Sequence, residues 1–247
     1  MTKQIPPEAG TRPGPDPATI HEMFRSIAGR YDRANDILSL GIHHLWRRRV
    51  VRWSGVQSGD RVLDCATGTG DLAIAFRKAV GETGMVTATD FVPEMVDLAR
   101  QKGSPYRKGL RFELADVTRL PYASESFEVA SISFGIRNVG DPRAAVSELA
   151  RVVGPGGRVL ILEFGQPHSA LLGRLYDFYR KHLLPRVGGW ITGRRQAYDY
   201  LERSAGTFPC GDQLADLVRS AARFERVEWR ALSGGIAYVY RAVKASA

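Results

Sequence analysis

Cysteine is scarce, with only Cys65 and Cys210 in 247 residues. Two such thiols build no disulfide framework, and no clustered Cys/His spacing marks a metal site. A disulfide-stapled secreted module and a zinc module are therefore excluded, and no metal is expected. No apolar run approaches the roughly 18–20 residues that cross a bilayer, which excludes a helical membrane span. Residues 1–18 lack the apolar stretch of a secretory signal; they are polar, rich in proline and glycine, and read as a disordered leader. A reducing cytoplasm is the expected compartment. Negative charge is in deficit, 26 Asp and Glu against 35 Lys and Arg, for a formal net charge of +9. That imbalance favours an anionic membrane surface or nucleic acid as partner, although an arginine-rich proteome produces the same number. No Lys/Arg-rich tract with interleaved aromatics occurs outside 46–53, so nucleic acid is the weaker expectation. There is no internal repeat.

What is present is enough chain to bury one sizeable core. Thr19 and Glu22 have capping-box spacing, and Ile20, Met23, Phe24, Ile27 and Tyr31 follow at helical intervals. A second helix is expected over 43–53, with Trp46 and Val50 on one face. Strands are then expected at 61–64, 85–89, 110–114, 127–133 and 158–163, with helices at 72–80, from Pro93 and at 142–153 between them. Residues 168–205 interrupt this rhythm with a long helical stretch. A helix at 211–222 and strands at 224–231 and 236–243 close the chain, the last two joined by Ser233-Gly234-Gly235. The alternation predicts an α/β fold with a mostly parallel seven-stranded sheet and a terminal antiparallel hairpin. A single domain over 19–247 is expected.

The strongest local signal is the glycine turn after the first strand, bounded by Asp64 and Asp71 and containing Gly68 and Gly70. Such glycines let the chain turn tightly and let a ligand approach the backbone. Asp90 ends the second strand, 22 residues beyond Gly68, where a carboxylate can accept hydrogen bonds from ribose hydroxyls. Gly68-x-Gly70-x-x-Ala73 also fits a dinucleotide fingerprint. A dinucleotide, however, lays its pyrophosphate on the helix N-terminus, where Asp71 is unwelcome. Carboxylates on both sides of the turn suit a ligand bearing an ammonium and a sulfonium, S-adenosylmethionine; alternatively, Asp71 only favours the helix dipole and Asp64 only caps the turn. Asp116, with the Val117 amide beside it, and Ser133 follow the third and fourth strands. All four polar positions fall at strand carboxyl ends, where open α/β sheets bind ligands.

Four stretches resemble the ubiquinone/menaquinone biosynthesis C-methyltransferases, also called demethylmenaquinone methyltransferases. They are 31–46 (YDRANDILSLGIHHLW), 63–71 (LDCATGTGD), 131–139 (SISFGIRNV) and 151–164 (RVVGPGGRVLILEF). The resemblance extends over about 22–243. Ala34, Gly154 and Gly165 depart from the family's usual methionine, lysine and serine, which touches substrate choice more than family. The resemblance implies a Rossmann-like class I S-adenosylmethionine-dependent methyltransferase, with cofactor contacts at Thr69, Asp90, Asp116, Val117 and Ser133 beside the loop residues Asp64, Gly68 and Gly70. It implies methyl transfer to a ring carbon of a polyprenylated quinol, a demethylmenaquinol or a polyprenyl methoxybenzoquinol. Candidates for the chemistry are Arg137 and Asn138, which could polarise and orient the ring, His43 as base, and Tyr31 and Asp32. Against this, Tyr31 completes an apolar helix stripe, and His43 stands beside His44 on an arginine-rich helix. Helical lid elements are expected at about 19–53 and 168–205. In the second, Leu171, Leu172, Leu175, Phe178, Tyr179 and Leu183 would admit a polyprenyl tail, and the basic surface nearby would rest on anionic lipid. Rival readings are another small-molecule or lipid methyltransferase and an RNA-binding methyltransferase-like module; homo-oligomerisation is left open.

Overall fold

Asp16, not Thr19, starts the first helix. Its carboxylate accepts from Thr19 N at 2.9 Å and from Thr19 Oγ1 at 2.7 Å, and Pro17 follows at the first helical position, where no N–H is needed. The expected capping box is absent because Thr19 already lies inside the helix, and Glu22 pairs instead with Arg25 at 2.7 Å. The computed structural model describes residues 15–246. The predicted leader therefore falls outside the described residues up to position 14, and Pro17 and Ala18 are already helical.

Helix α1 (Pro17–Ile27) passes through a 3-10 turn into α2 (Tyr31–Ser39), a helix not anticipated from the sequence. Leu40 and Gly41, both with positive φ, reverse the chain into α3 (Ile42–Ser54). The expected alternation follows: β1 (Arg61–Cys65), α4 (Asp71–Ala79), β2 (Met85–Asp90), α5 (Pro93–Gly103), β3 (Leu110–Leu114), β4 (Phe127–Ser133), α6 (Pro142–Val152) and β5 (Val153–Phe164). Strand β5 begins five residues early, because the pairing with β4 shifts register between Phe127 and Val129 and absorbs the glycine-rich turn into the ladder. The interruption is α7 (Ala170–Phe178), a π-helical turn, α8 (Leu184–Thr192) and α9 (Arg195–Thr207). Helix α10 (Asp212–Ala221), β6 (Phe224–Leu232) and β7 (Ala237–Lys244) complete the chain.

The seven-stranded sheet has the order β3-β2-β1-β4-β5-β7-β6. Strands β1 to β5 are parallel, and β7 runs antiparallel to both β5 and β6. The predicted α/β architecture and terminal hairpin are both present. Side chains alternate between two cores, as the pleat demands. Leu63, Ile132 and Ile161 face α6 and α10, while Val62, Val129 and Leu160 face α3 and α4. A smaller cluster of Ile27, Ala34, Ala197 and Tyr198 ties α1 and α2 to α9. Strand order reverses between β1 and β4, so the loops leaving them diverge and open a crevice at their carboxyl ends.

Candidate active site

The crevice begins at the turn after β1. Asp64 lies buried beneath that turn, where its two oxygens accept from Ser131 Oγ at 2.6 Å and Thr67 Oγ1 at 2.7 Å. Burial pushes its carboxyl up to about 6 against the pull of those bonds. Asp64 therefore struts β1 to β4 and to the turn. Gly70, at φ +87°, must be glycine for packing, since a Cβ there would stand 2.8 Å from the Phe112 ring.

Thr69 and Asp71 face the N-terminal helices. Thr69 Oγ1 donates to Asp32 at 2.5 Å, and Lys102 Nζ bridges Asp32, at 2.7 Å, to Asp71. Arg47 of α3 lies 3.2 Å from Asp71. Cations from α3 and α5 thus occupy Asp71, and the hydroxyls of Ser131 in β4 and Thr67 in the turn occupy Asp64. Asp64, Thr69 and Gly70 line neither of the two cavities at this edge of the sheet.

The remaining expected cofactor residues do come together. Gly68, Asp90, Asp116, Val117 and Ser133 line one cavity of about 420 Å3. Asp90 is buried, which raises its carboxyl, and it accepts Gly68 N at 2.8 Å and Val92 N at 3.0 Å. One carboxylate so fixes the glycine turn and the start of α5. Asp116 accepts the Thr118 amide and hydroxyl, each at 2.8 Å, which turns the loop after β3. The Ser133 hydroxyl is buried without a partner among the described residues. An unsatisfied buried hydroxyl aimed at a cavity needs a ligand or water to complete it. With Asp90 and a left-handed Gly68 beside it, that orphan fits a nucleoside-type ligand such as S-adenosylmethionine.

A second cavity, about 550 Å3, adjoins the first. Its walls are largely apolar, with Met23, Leu38, Trp46, Phe164, Leu172 and Leu201 among them. Its polar edges include Tyr31, His43, Arg137, Tyr176 and Tyr200. Phe24, Tyr31 and Phe134 line both cavities and so mark the boundary between them. Phe134 holds φ +55°, a conformation that costs a bulky residue about 1–3 kcal/mol and persists only where its surroundings impose it. Its N–H donates to Leu162 O at 2.7 Å, and its carbonyl accepts Arg137 Nη1 at 2.6 Å.

Arg137 is fixed on several sides. Its Nη1 pairs with the fully buried Glu163 at 2.7 Å, and its guanidinium lies 5.2 Å from the Phe164 ring centroid. Its Nε is buried without a partner among the described residues. Asn138 borders the smaller cavity, and its Oδ1 accepts from the Tyr200 hydroxyl at 3.1 Å.

His43 is buried on the wall of the larger cavity, bonded through Nδ1 to Ser39 Oγ. Burial, with Arg47 beside it, lowers its pKa to about 4. It is therefore neutral through the physiological range, and a much weaker base than its ordinary value near 6.5 implies. Asp36, His43 and His44 place potential metal-ligand atoms within 4.8 Å of one another, a grouping that sequence spacing hides. The 2.8 Å contact from His44 to Asp36 accounts for it as a hydrogen-bonded pair. Sequence reasoning missed Phe134, Glu163, Tyr176 and Tyr200 as site residues. Glu163 alone carried a signal, a charge closing an apolar run.

Comparison with known proteins agrees with this layout. The profile of the ubiE/COQ5 methyltransferase family matches residues 14–244. A ubiquinone/menaquinone biosynthesis C-methyltransferase UbiE of Bdellovibrio bacteriovorus is 52% identical over 92% of this chain and 96% of its own. A demethylmenaquinone methyltransferase of Deinococcus radiodurans is 42% identical over 96% of this chain and 97% of its own. Among solved structures, a SAM-dependent methyltransferase of Thermotoga maritima superposes with a TM-score of 0.64 at 20% identity, covering 91% of this chain and 99% of that one. The [4+2]-cyclase SpnF superposes equally well, at 0.64 and 14% identity, over 96% of this chain and 99% of its own. Those two likenesses establish the fold alone, since one fold hosts both chemistries. The sequence matches reach further: this chain belongs to the ubiE/COQ5 methyltransferase family.

Proposed function

We propose that this protein is an S-adenosylmethionine-dependent C-methyltransferase that alkylates a ring carbon of a polyprenylated hydroquinone in respiratory quinone biosynthesis. The acceptor is a demethylmenaquinol or its methoxybenzoquinol counterpart. The observation that carries this reading is the pair of adjoining cavities, one edged by Asp90, Asp116 and Ser133, the other largely apolar. The names of the 52% and 42% identical relatives support the same substrate class. The direct test is transfer of the labelled methyl group from S-adenosylmethionine to extracted quinol, with and without added acceptor; no label in the quinol fraction would refute the reading.

In this reading the bound cofactor supplies an electrophilic methyl on a sulfonium. Asp90 would hold its ribose, the Val117 amide and Asp116 its adenine, and Ser133 and Gly68 the region near its methionine end. Arg137 faces the acceptor's ring oxygen and favours its ionised form, which enriches the ring in electrons. Asn138 and Tyr31 would orient the ring where the two cavities meet. His43 is neutral there and serves as a hydrogen-bonding wall, with its Nδ1 bonded to the Ser39 hydroxyl.

Asp90→Ala is expected to weaken S-adenosylmethionine binding by about 1.5–3 kcal/mol, the range for hydrogen bonds to a charged group. Part of that loss comes from the freed Gly68 and Val92 amides, so Asp90→Asn is the milder comparison. Calorimetry on the folded variants measures it, and wild-type affinity in both would remove Asp90 from the cofactor site.

No helix among the described residues is long and apolar enough to cross a membrane. We place the protein in the cytoplasm, resting on the inner face of the cell membrane by its lid. Leu40, Leu171, Leu175, Phe178, Leu183 and Trp190 are exposed there. Arg174, Lys181, Arg186, Arg194 and Arg195 are exposed among them, so apolar and basic groups are offered together to an anionic lipid surface. The chain should co-sediment with vesicles containing anionic lipid, and replacing Leu171, Leu175 and Trp190 by serine should abolish most of that binding. Full recovery of the wild type in the supernatant at every lipid concentration would refute the placement.

A further inference from the structure

We propose that Tyr200 is an acceptor-positioning residue: its hydroxyl, held by Asn138 where the two cavities meet, receives the hydrogen bond of the acceptor's ring hydroxyl. This rests on the reading above that the larger cavity takes a hydroquinone. Tyr200 lies on α9, in the lid, and lines the larger cavity, whereas Asn138 lines the smaller one. The 3.1 Å bond between them therefore crosses the boundary at which the methyl group must pass. The other tyrosines of the larger cavity make no such crossing bond. Tyr179 donates to Leu38 O at 2.7 Å and fastens the lid, and Tyr198 packs in the lid core over Gly188. Tyr31 is shared wall, and Tyr176 faces Arg180 and Arg137 from within the larger cavity alone.

The direction of the Tyr200 bond follows from its partners. Asn138 Nδ2 reaches Phe134 O at 3.4 Å, which turns Oδ1 toward Tyr200. A carbonyl oxygen only accepts, so the phenol donates. A phenol oxygen that donates its one proton still carries lone pairs able to accept. Burial raises the phenol's pKa against the opposing pull of Arg137 and a hydrogen bond from Ser204, which takes one lone pair and leaves the other, so the group keeps its proton and acts as an orienting partner, not a base. The Phe134 carbonyl accepts from both Arg137 and Asn138. Arg137, Asn138 and Tyr200 thus form one cluster in which Tyr200 offers a lone pair to the ring hydroxyl that stays protonated, while Arg137 faces the ring oxygen that ionises. That combination selects a phenolic O–H over an ether or a carbonyl, neither of which could donate to Tyr200.

The test is a double-mutant cycle on Tyr200→Phe and Asn138→Ala with reduced acceptor, supported by cofactor affinity and melting curves. Tyr200→Phe keeps the ring and its packing and removes only the hydroxyl. It is expected to lower kcat/KM for the acceptor roughly tenfold, as for one lost hydrogen bond, and to leave S-adenosylmethionine affinity within twofold. Because Tyr200 acts while held by Asn138, the double variant should lose little more than the worse single variant. A purely structural Tyr200 would instead lower the melting temperature and disturb cofactor affinity along with acceptor turnover, whereas a Tyr200 with no link to Asn138 would give a multiplicative double variant. Wild-type kcat/KM in Tyr200→Phe, or a multiplicative double variant, overturns the inference. A wild-type protein that methylates no hydroquinone overturns the reading of the cavity beneath it, and the two failures are distinguishable.

Discussion

Arg137→Ala is expected to lose at least about 100-fold in kcat while binding S-adenosylmethionine with wild-type affinity, as when a partner of the transition-state charge is removed. The guanidinium stands on the wall of the larger cavity, with one nitrogen on Glu163 and the Phe134 carbonyl and its Nε unpartnered. A cation held so tightly reorganises little when negative charge gathers on an acceptor oxygen. Arg137→Lys should rescue little, because one ammonium cannot hold Glu163 and a ligand oxygen in the same planar geometry. Stranding the fully buried Glu163 also costs stability, about 3–5 kcal/mol for a broken buried pair. The double variant Arg137→Ala with Glu163→Gln removes that stranded charge and lets activity be compared in a folded protein. Near-normal turnover in the double variant at saturating acceptor would make Arg137 a scaffold for Phe134 and nothing more.

The redox state of the acceptor should decide activity outright. A ring carbon attacks a sulfonium only if it is electron-rich, as in a hydroquinone and still more in its phenolate. The oxidised quinone carries two electron-withdrawing carbonyls, and no residue in the larger cavity could reverse that polarity. Methyl incorporation into extracted demethylmenaquinol should therefore appear under dithionite and vanish without it. The rate should also rise with pH. His43, with its pKa lowered to about 4, is already deprotonated before pH 6, so a rise above pH 7 belongs to the acceptor's own hydroxyl beside Arg137. Equal incorporation into quinone and hydroquinone would eliminate this chemistry, and incorporation into phospholipid or RNA would install a different acceptor.

The sheet was legible because buried parallel strands read as short apolar runs, and glycine and proline mark their ends. Helix α2 was not, since 31–39 is mostly polar; its burial comes from Ala34 meeting Ala197 and Tyr198 of α9, partners more than 160 positions away in the chain. The same limit governs the site. Asp90, Asp116 and Ser133 could be placed on one cavity from the sequence because strand ends position them whatever their side chains do. The pairing of Asp71 could not be read, because its cations, Arg47 and Lys102, arrive from other helices. His43 drew attention as a residue type, while its depressed basicity comes from burial that only folding creates. Tyr200 gave no signal, because its meaning lies in one bond to a loop 62 positions earlier.

The position of β7 bears on how the molecule comes to be made. Strands β1 to β5 are complete by Phe164, and with them every residue named for the cofactor. Among the described residues the outer edge of β5 pairs with β7, Ala237–Lys244, and the lid helix that carries Tyr200 also comes late. A chain emerging from the ribosome can thus shape the nucleoside cleft while β5 still presents an unpaired edge, the kind that recruits other chains. Translation of the last hairpin ends that exposure, which makes the final two strands a guard against aggregation during synthesis as well as part of the sheet.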